Sequence, residues 1–142
     1  MVSFSLKVRF YETDLMGVVH HANYLRWFEM GRVEYLRQAG IDPNEMMGEG
    51  FMVPIVDVNC RYRQSARFDD EVIIETVLEK LSKVKLSFSY RALRAKDGVL
   101  LAEGKTTNGI TTAEGKVARL SDSYMERLNK MLEEERETRK EC

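Results

Sequence analysis

Long apolar runs are missing from this 142-residue sequence. Nothing in it approaches the length of a bilayer span. The opening MVSFSLKVRF alternates in polarity and lacks the continuous apolar core of a signal peptide. A soluble, unexported protein with no membrane span is expected, with the cytoplasm as its default location. Cysteine is scarce: Cys60 and Cys142 are the only two, with neither zinc-site spacing nor a disulfide framework. Histidine is equally scarce, and His20 and His21 have no clustered third ligand, so no metal site is expected. An excess of either charge is absent too, with 22 basic and 23 acidic residues giving a net charge of −1. A nucleic-acid partner would need a basic face that this balance does not supply, and none is expected. No repeat, low-complexity linker or domain boundary is visible. The reading is one domain over 1–142, with about 133–142 (EEERETRKE and the last cysteine) a frayed or solvated tail.

What is present divides into two periodicities. Phe4, Leu6, Val8 and Phe10 alternate with polar residues, which predicts a first strand. Residues 24–39 carry so many apolar positions that a helix buried around most of its circumference is expected. Asn23 is its candidate N-cap and Gly40 its terminator. Asp42, Pro43 and Glu45 signal a short helical turn, closed by Gly48 and Gly50. Four strands follow, near 52–63, 71–82, 84–94 and 99–112, expected to pair as an antiparallel meander. Ser121 can cap a last surface helix bearing Tyr124, Leu128, Met131 and Leu132. The class is α+β: an antiparallel sheet of about five strands wrapped around one long central helix. So small a sheet leaves edge strands open, and a dimer that continues the sheet is the expected cover.

The segment that most resembles a site runs from Tyr11 to Tyr24, YETDLMGVVHHANY. Asp14 three residues before Gly17 is a common turn signature, because aspartate can bond nearby amides. Beyond it the chain passes through Val18 and Val19 to a helix start, whose free amides suit an anion or oxyanion. An ionised carboxylate beside such donors can attack a carbonyl or take a proton from attacking water. That chemistry is acyl transfer to water, and it needs neither a metal nor a cofactor. His21 sits nearest the donors and is the histidine with a candidate accessory role. Glu29 reads either as a carboxylate paired with Arg26 or Arg32 or as a pocket residue. Basic residues of the middle strands, Arg61, Arg63, Arg67, Lys80, Lys83 and Lys85, are mostly solvated faces. A strip suited to a phosphate-bearing nucleotide tail can still arise from neighbouring strands.

VRFYETDLMGVVHHANYLRWFEMGRVEYLR resembles the start of the hotdog-fold acyl-CoA thioesterases of the 4-hydroxybenzoyl-CoA thioesterase superfamily, the YbgC-like branch in particular. The specific core is Glu12, Thr13, Asp14, Gly17, Val18, Val19, His21, Asn23 and Tyr24, continuing to Glu29 and Arg32. Looser matches surround Tyr62, Ala66 and Asp70. The resemblance implies a hotdog fold and hydrolysis of acyl-CoA to free acid and coenzyme A. Asp14 would act as nucleophile or general base, and the backbone amide of His21 would polarise the carbonyl. Gly17, Val18, Val19, Tyr24 and Glu29 fall on the substrate side of that site. It also implies homodimers, often assembled into homotetramers, with Asp57, Val58 and Asn59 facing a partner's pocket, and Arg63, Lys83 and Lys85 near the coenzyme A nucleotide. Coenzyme A is then part of the substrate and not a cofactor. One departure is Phe10, where relatives often place tyrosine. Two rivals are a hotdog enoyl-CoA hydratase or dehydratase and a non-catalytic acyl-CoA binding module.

Overall fold

The computed structural model describes the backbone of residues 1–141 and side chains through Arg139; Cys142 lies outside the described residues. Strand β1 (Val2–Lys7) is followed by a 3₁₀ turn over Phe10–Glu12. Helix α1 (Ala22–Gln38) and the short α2 (Pro43–Gly48) come next. Strands β2 (Ile55–Tyr62), β3 (Glu71–Leu81), β4 (Lys85–Arg94) and β5 (Leu100–Gly109) then lead to α3 (Asp122–Glu141). The fold is a five-stranded antiparallel sheet with a helix packed on one face.

Strand order is β1-β3-β4-β5-β2, which corrects the expected meander. β3, β4 and β5 do form one, but β2 pairs with β5, from Ile55 opposite Asn108 to Tyr62 opposite Ala102. A hairpin between β2 and β3 would need a tight turn. Here the 63–70 connection instead crosses the end of the sheet, held by Arg63 and Gln64 amides donating to the Leu101 carbonyl at 2.8 and 3.1 Å. The place beside β3 goes to β1, whose Val2 to Lys7 pair with Thr76 to Glu71. Two edges remain, and β2 is one of them.

Strict alternation along β3 and β4 buries Val72, Ile74 and Leu78, and Leu86, Phe88, Tyr90 and Ala92, against α1. From α1, Trp27, Phe28 and Tyr35 enter the same core, with Phe28 stacked on Tyr90 at 4.7 Å between centroids. Leu25 and Met30 remain 38% and 47% exposed, so within one chain the helix is not buried around most of its circumference. Its apolar excess is a second face, left uncovered.

The approach of α1 to β3 is close enough to require glycine. A Cβ on Gly31 would overlap Thr76 Oγ1 and lie 3.1 Å from Ile74 Cγ2. Alanine improves helix propensity by about 1 kcal/mol, whereas overpacking costs about 1–3 kcal/mol. Gly31→Ala is therefore expected to lower stability, measured as the urea midpoint. A midpoint at or above that of the wild type would mean the helix can shift away freely.

From 133 onward, where a frayed or solvated tail is expected, the chain continues α3 to Glu141, and through Arg139 every side chain but that of Glu135 is exposed. Leu128, Leu132 and Glu135 are buried while their neighbours face water. Arg127 donates to the Gly40 carbonyl at 2.7 Å, and Arg139 pairs with Glu79 of β3 at 2.7 Å. Few apolar residues mark this segment because it is anchored chiefly by polar contacts. Among the described residues no helix is long and apolar enough to cross a membrane.

Candidate active site

The 3₁₀ turn after β1 inverts what residue type suggests. Aromatic Phe10 turns outward, 76% exposed, while Glu12 turns inward, 6% exposed. β1 therefore ends at Lys7, short of the predicted Phe10. Beyond the turn the chain doubles back: Asp14 N–H donates to the Val18 carbonyl at 2.9 Å, and Thr13 bridges Val19. Gly17, at φ +76°, supplies the left-handed residue the reversal requires. Val18 bridges Arg67, and Val19 N–H donates to the Ala66 carbonyl at 2.8 Å. The loop is thus attached to the 63–70 connection.

Asp14 serves this turn with one oxygen only. Its Oδ1 accepts from the Met16 amide at 2.8 Å and from the Val18 amide at 3.4 Å. Among the described residues Oδ2 accepts nothing, and the residue is exposed. The turn therefore uses one oxygen of Asp14 and leaves the other unspent.

Helix α1 begins at Ala22 with His21 as N-cap residue, two positions before the expected cap at Asn23. Asn23 lies inside the helix, and its side-chain amide donates to the carbonyls of Glu12 (3.0 Å) and His20 (3.3 Å). The first amides are mostly occupied. Ala22 N–H donates to His20 Nδ1 at 3.3 Å, Asn23 N–H to the His20 carbonyl at 3.0 Å, and Tyr24 N–H to the His21 carbonyl at 3.2 Å. Among the described residues the His21 N–H has no acceptor. An anion arriving at the helix start meets that donor unspent. The two imidazoles stack at 4.3 Å, and neither ring contributes to a triad.

Tyr24 and Tyr62 form the wall beside these groups. Tyr24 is buried, its hydroxyl accepts the Ala66 amide at 3.2 Å, and burial pushes its pKa upward. Tyr62, from the end of β2, donates to the His21 carbonyl at 3.3 Å and packs edge-on to His21 and Tyr24. Loss of solvent at the hydroxyl, then the Cys60 thiol beside it, push Tyr62 up to about 12, so this donor keeps its proton across the neutral range.

Other predicted positions are more dispersed. Val19 is buried and Val18 half-buried, while Glu29 is exposed and makes no ion pair with Arg26 or Arg32 among the described residues. Asp57 and Asn59 line a polar groove on the sheet face opposite α1, and Val58, 44% exposed, lies on the free β2 edge. Arg63 is at the Asp14 end but pairs with Glu103 at 2.6 Å. Lys83 and Lys85 belong to the β3–β4 hairpin, at the far end of the sheet. Strands here span about 30 Å, so one chain forms no continuous basic strip from Arg63 to these lysines.

Sequence reasoning gave no role to Glu12, whose carboxylate accepts from Trp27 Nε1–H at 2.9 Å and from the Arg9 amide at 2.7 Å. The available signal was its position, an acid directly following two aromatics. Tyr62 was noted only as a loose match. Nothing local marks a tyrosine that reaches a residue 41 positions away.

Comparison with known proteins supplies the family. The family described as "Thioesterase-like superfamily" matches residues 8–128. Acyl-CoA thioesterase YbgC of Haemophilus influenzae is 33% identical over 95 residues, covering 65% of this chain and 68% of that protein. A crystal structure of the hypothetical protein TT1821 from Thermus thermophilus is 37% identical, with a TM-score of 0.85 over 91% of this chain and 98% of that one. DHNA-CoA thioesterase from Staphylococcus aureus is 28% identical, with a TM-score of 0.86 over 98% and 93%. The hotdog sheet and these relatives converge: the chain belongs to the thioesterase-like superfamily and is a thioester hydrolase.

Proposed function

We propose that this protein hydrolyses acyl-CoA thioesters, with Asp14 as the reacting carboxylate and the His21 N–H as the oxyanion donor. The observation that carries this reading is the coincidence of two unspent groups, Asp14 Oδ2 and the His21 amide, on one loop-to-helix reversal. A thioester carbonyl lying against the amide is polarised by it, and the amide gains strength as the oxygen becomes an oxyanion. Oδ2 then either attacks the carbonyl carbon, to be released by water, or removes a proton from the attacking water. Coenzyme A leaves as the thiol.

The working unit of this reading is a homodimer, with a homotetramer as its further assembly. The β2 edge carries Ile55, Val56 and Val58 at 48%, 58% and 44% exposure. Antiparallel pairing of two such edges would continue the sheet. It would bring the start of the partner's β2, and the end of the partner's sheet that holds its β3–β4 hairpin, to the Asp14 end of the first chain. Lys83 and Lys85 of the partner subunit then share an end with Arg63, which supplies the basic surface for a nucleotide that one chain does not assemble. Val58 of the partner subunit then faces the same side of the sheet as the pocket, while the partner's Asp57 and the partner's Asn59, on the face opposite α1, point away from it.

Thiol release followed across short, long and aromatic acyl-CoAs, with an acyl carrier protein thioester alongside, tests the reading. Turnover of coenzyme A thioesters above the carrier-protein thioester is expected. Saturable binding without thiol release from any of them would make the chain a binding module, and hydration of an enoyl-CoA would make it a hydratase.

A further inference from the structure

The groups placed at the reaction are held by a residue that touches neither of them by its side chain. Glu12 is 6% exposed and has no ion-pair partner among the described residues. Its two carboxylate oxygens are used separately. Oε1 accepts the Arg9 amide at 2.7 Å, and Oε2 accepts the indole N–H of Trp27 at 2.9 Å, five residues into α1. Trp27 is 1% exposed and fixed in the core. The carbonyl of Glu12 accepts twice more, from His20 N–H at 2.8 Å and from Asn23 Nδ2 at 3.0 Å. One residue thus joins the turn that leads into Asp14, the peptide that precedes the His21 amide, and the body of the helix.

A buried carboxylate without a cation is costly unless its oxygens are well bonded. A glutamine of the same shape, or an apolar residue, would remove that cost if filling space were sufficient. We propose that Glu12 is a positioning residue, which sets the spacing between the Asp14 carboxylate and the His21 amide. The inference rests on the reading of Asp14 and His21 given above. The chemistry of the cradle explains why an acid stands here. Both neighbours are N–H donors, one at each oxygen, so an ionised carboxylate satisfies both. A glutamine has one acceptor oxygen, and its NH₂ group must confront either the Arg9 amide or the Trp27 indole.

A misplacement of about 1 Å at a reacting pair costs on the order of a hundredfold in rate. Glu12→Gln is expected to lower kcat about tenfold or more, with KM and the affinity for a non-hydrolysable thioether analogue within about twofold of the wild type. Asn23→Ala removes the side-chain bonds to the Glu12 and His20 carbonyls without touching the buried acid, and is expected to lower kcat in the same sense. In a Trp27→Phe background one N–H confrontation disappears, so Glu12→Gln should cost less there than alone. Wild-type kcat in both Glu12→Gln and Asn23→Ala overturns the proposal. So does a loss that appears only in KM and thermal stability. If Glu12→Gln does not fold, Asn23→Ala decides alone. Asp14→Asn, assayed alongside, separates the two failures. An inactive Asp14→Asn with both Glu12→Gln and Asn23→Ala unimpaired removes only the role of Glu12, whereas an active Asp14→Asn removes the reading on which it rests.

Discussion

Asp14→Asn is expected to reduce kcat by about 10²- to 10⁴-fold, the range for loss of a positioned general base, and by more where the carboxylate itself is the nucleophile. Folding should be nearly untouched. The turn uses only Oδ1, which accepts the Met16 and Val18 amides, and the asparagine carbonyl can accept the same two bonds. What asparagine lacks is the anionic second oxygen. Melting temperature and circular dichroism close to the wild type, together with lost thiol release, would assign the chemistry to Oδ2. Full turnover would leave Asp14 as a turn residue and nothing more. Asp14→Ala is a poorer probe, because it removes the turn bonds as well.

The second large effect is expected at the sheet edge. Val58, half exposed on β2, would lie near its own copy if two β2 edges pair. Val58→Lys places like charges close to one another at that junction, which opposes pairing. Sedimentation should show a shift from dimer to monomer, and kcat/KM should fall at least about tenfold because the pocket loses its partner-derived border. Raising the protein concentration should restore part of both. A fully active monomer would place the whole site within one chain.

The reversal at the site could be read from sequence because its determinants are local. Asp14 and Gly17 are three residues apart, and a left-handed glycine after an aspartate has few other uses. Helix α1 was legible for the same reason, since its apolar excess persists over four turns. The helix starts two residues early because the Ala22 amide already donates to His20 Nδ1, while the Asn23 side chain donates to the Glu12 and His20 carbonyls and caps nothing. Strand order was not legible. Alternation states which face of a strand is buried and is silent about its neighbour, so the pairing of β2 with β5 left no mark in either segment. The role of Glu12 was hidden for a related reason: its partner is Trp27, 15 residues away, at a separation that matches neither periodicity. Lys83 and Lys85 grouped with Arg63 in sequence because all belong to the middle of the chain, but Arg63 follows the end of β2 while the lysines stand at the β3–β4 turn, at the opposite end of the sheet.

The position of β2 also bears on the order in which the chain can be completed during synthesis. Its partner strand is separated from it by about 40 to 50 residues, with β3 and β4 between them, so pairing must wait for a long loop to close. The β3–β4–β5 hairpins can form first from neighbouring segments. Only then does β2 find its place, bringing Tyr62 up to the His21 carbonyl. The surface proposed to meet a second chain is thus finished at the same step as the wall beside His21.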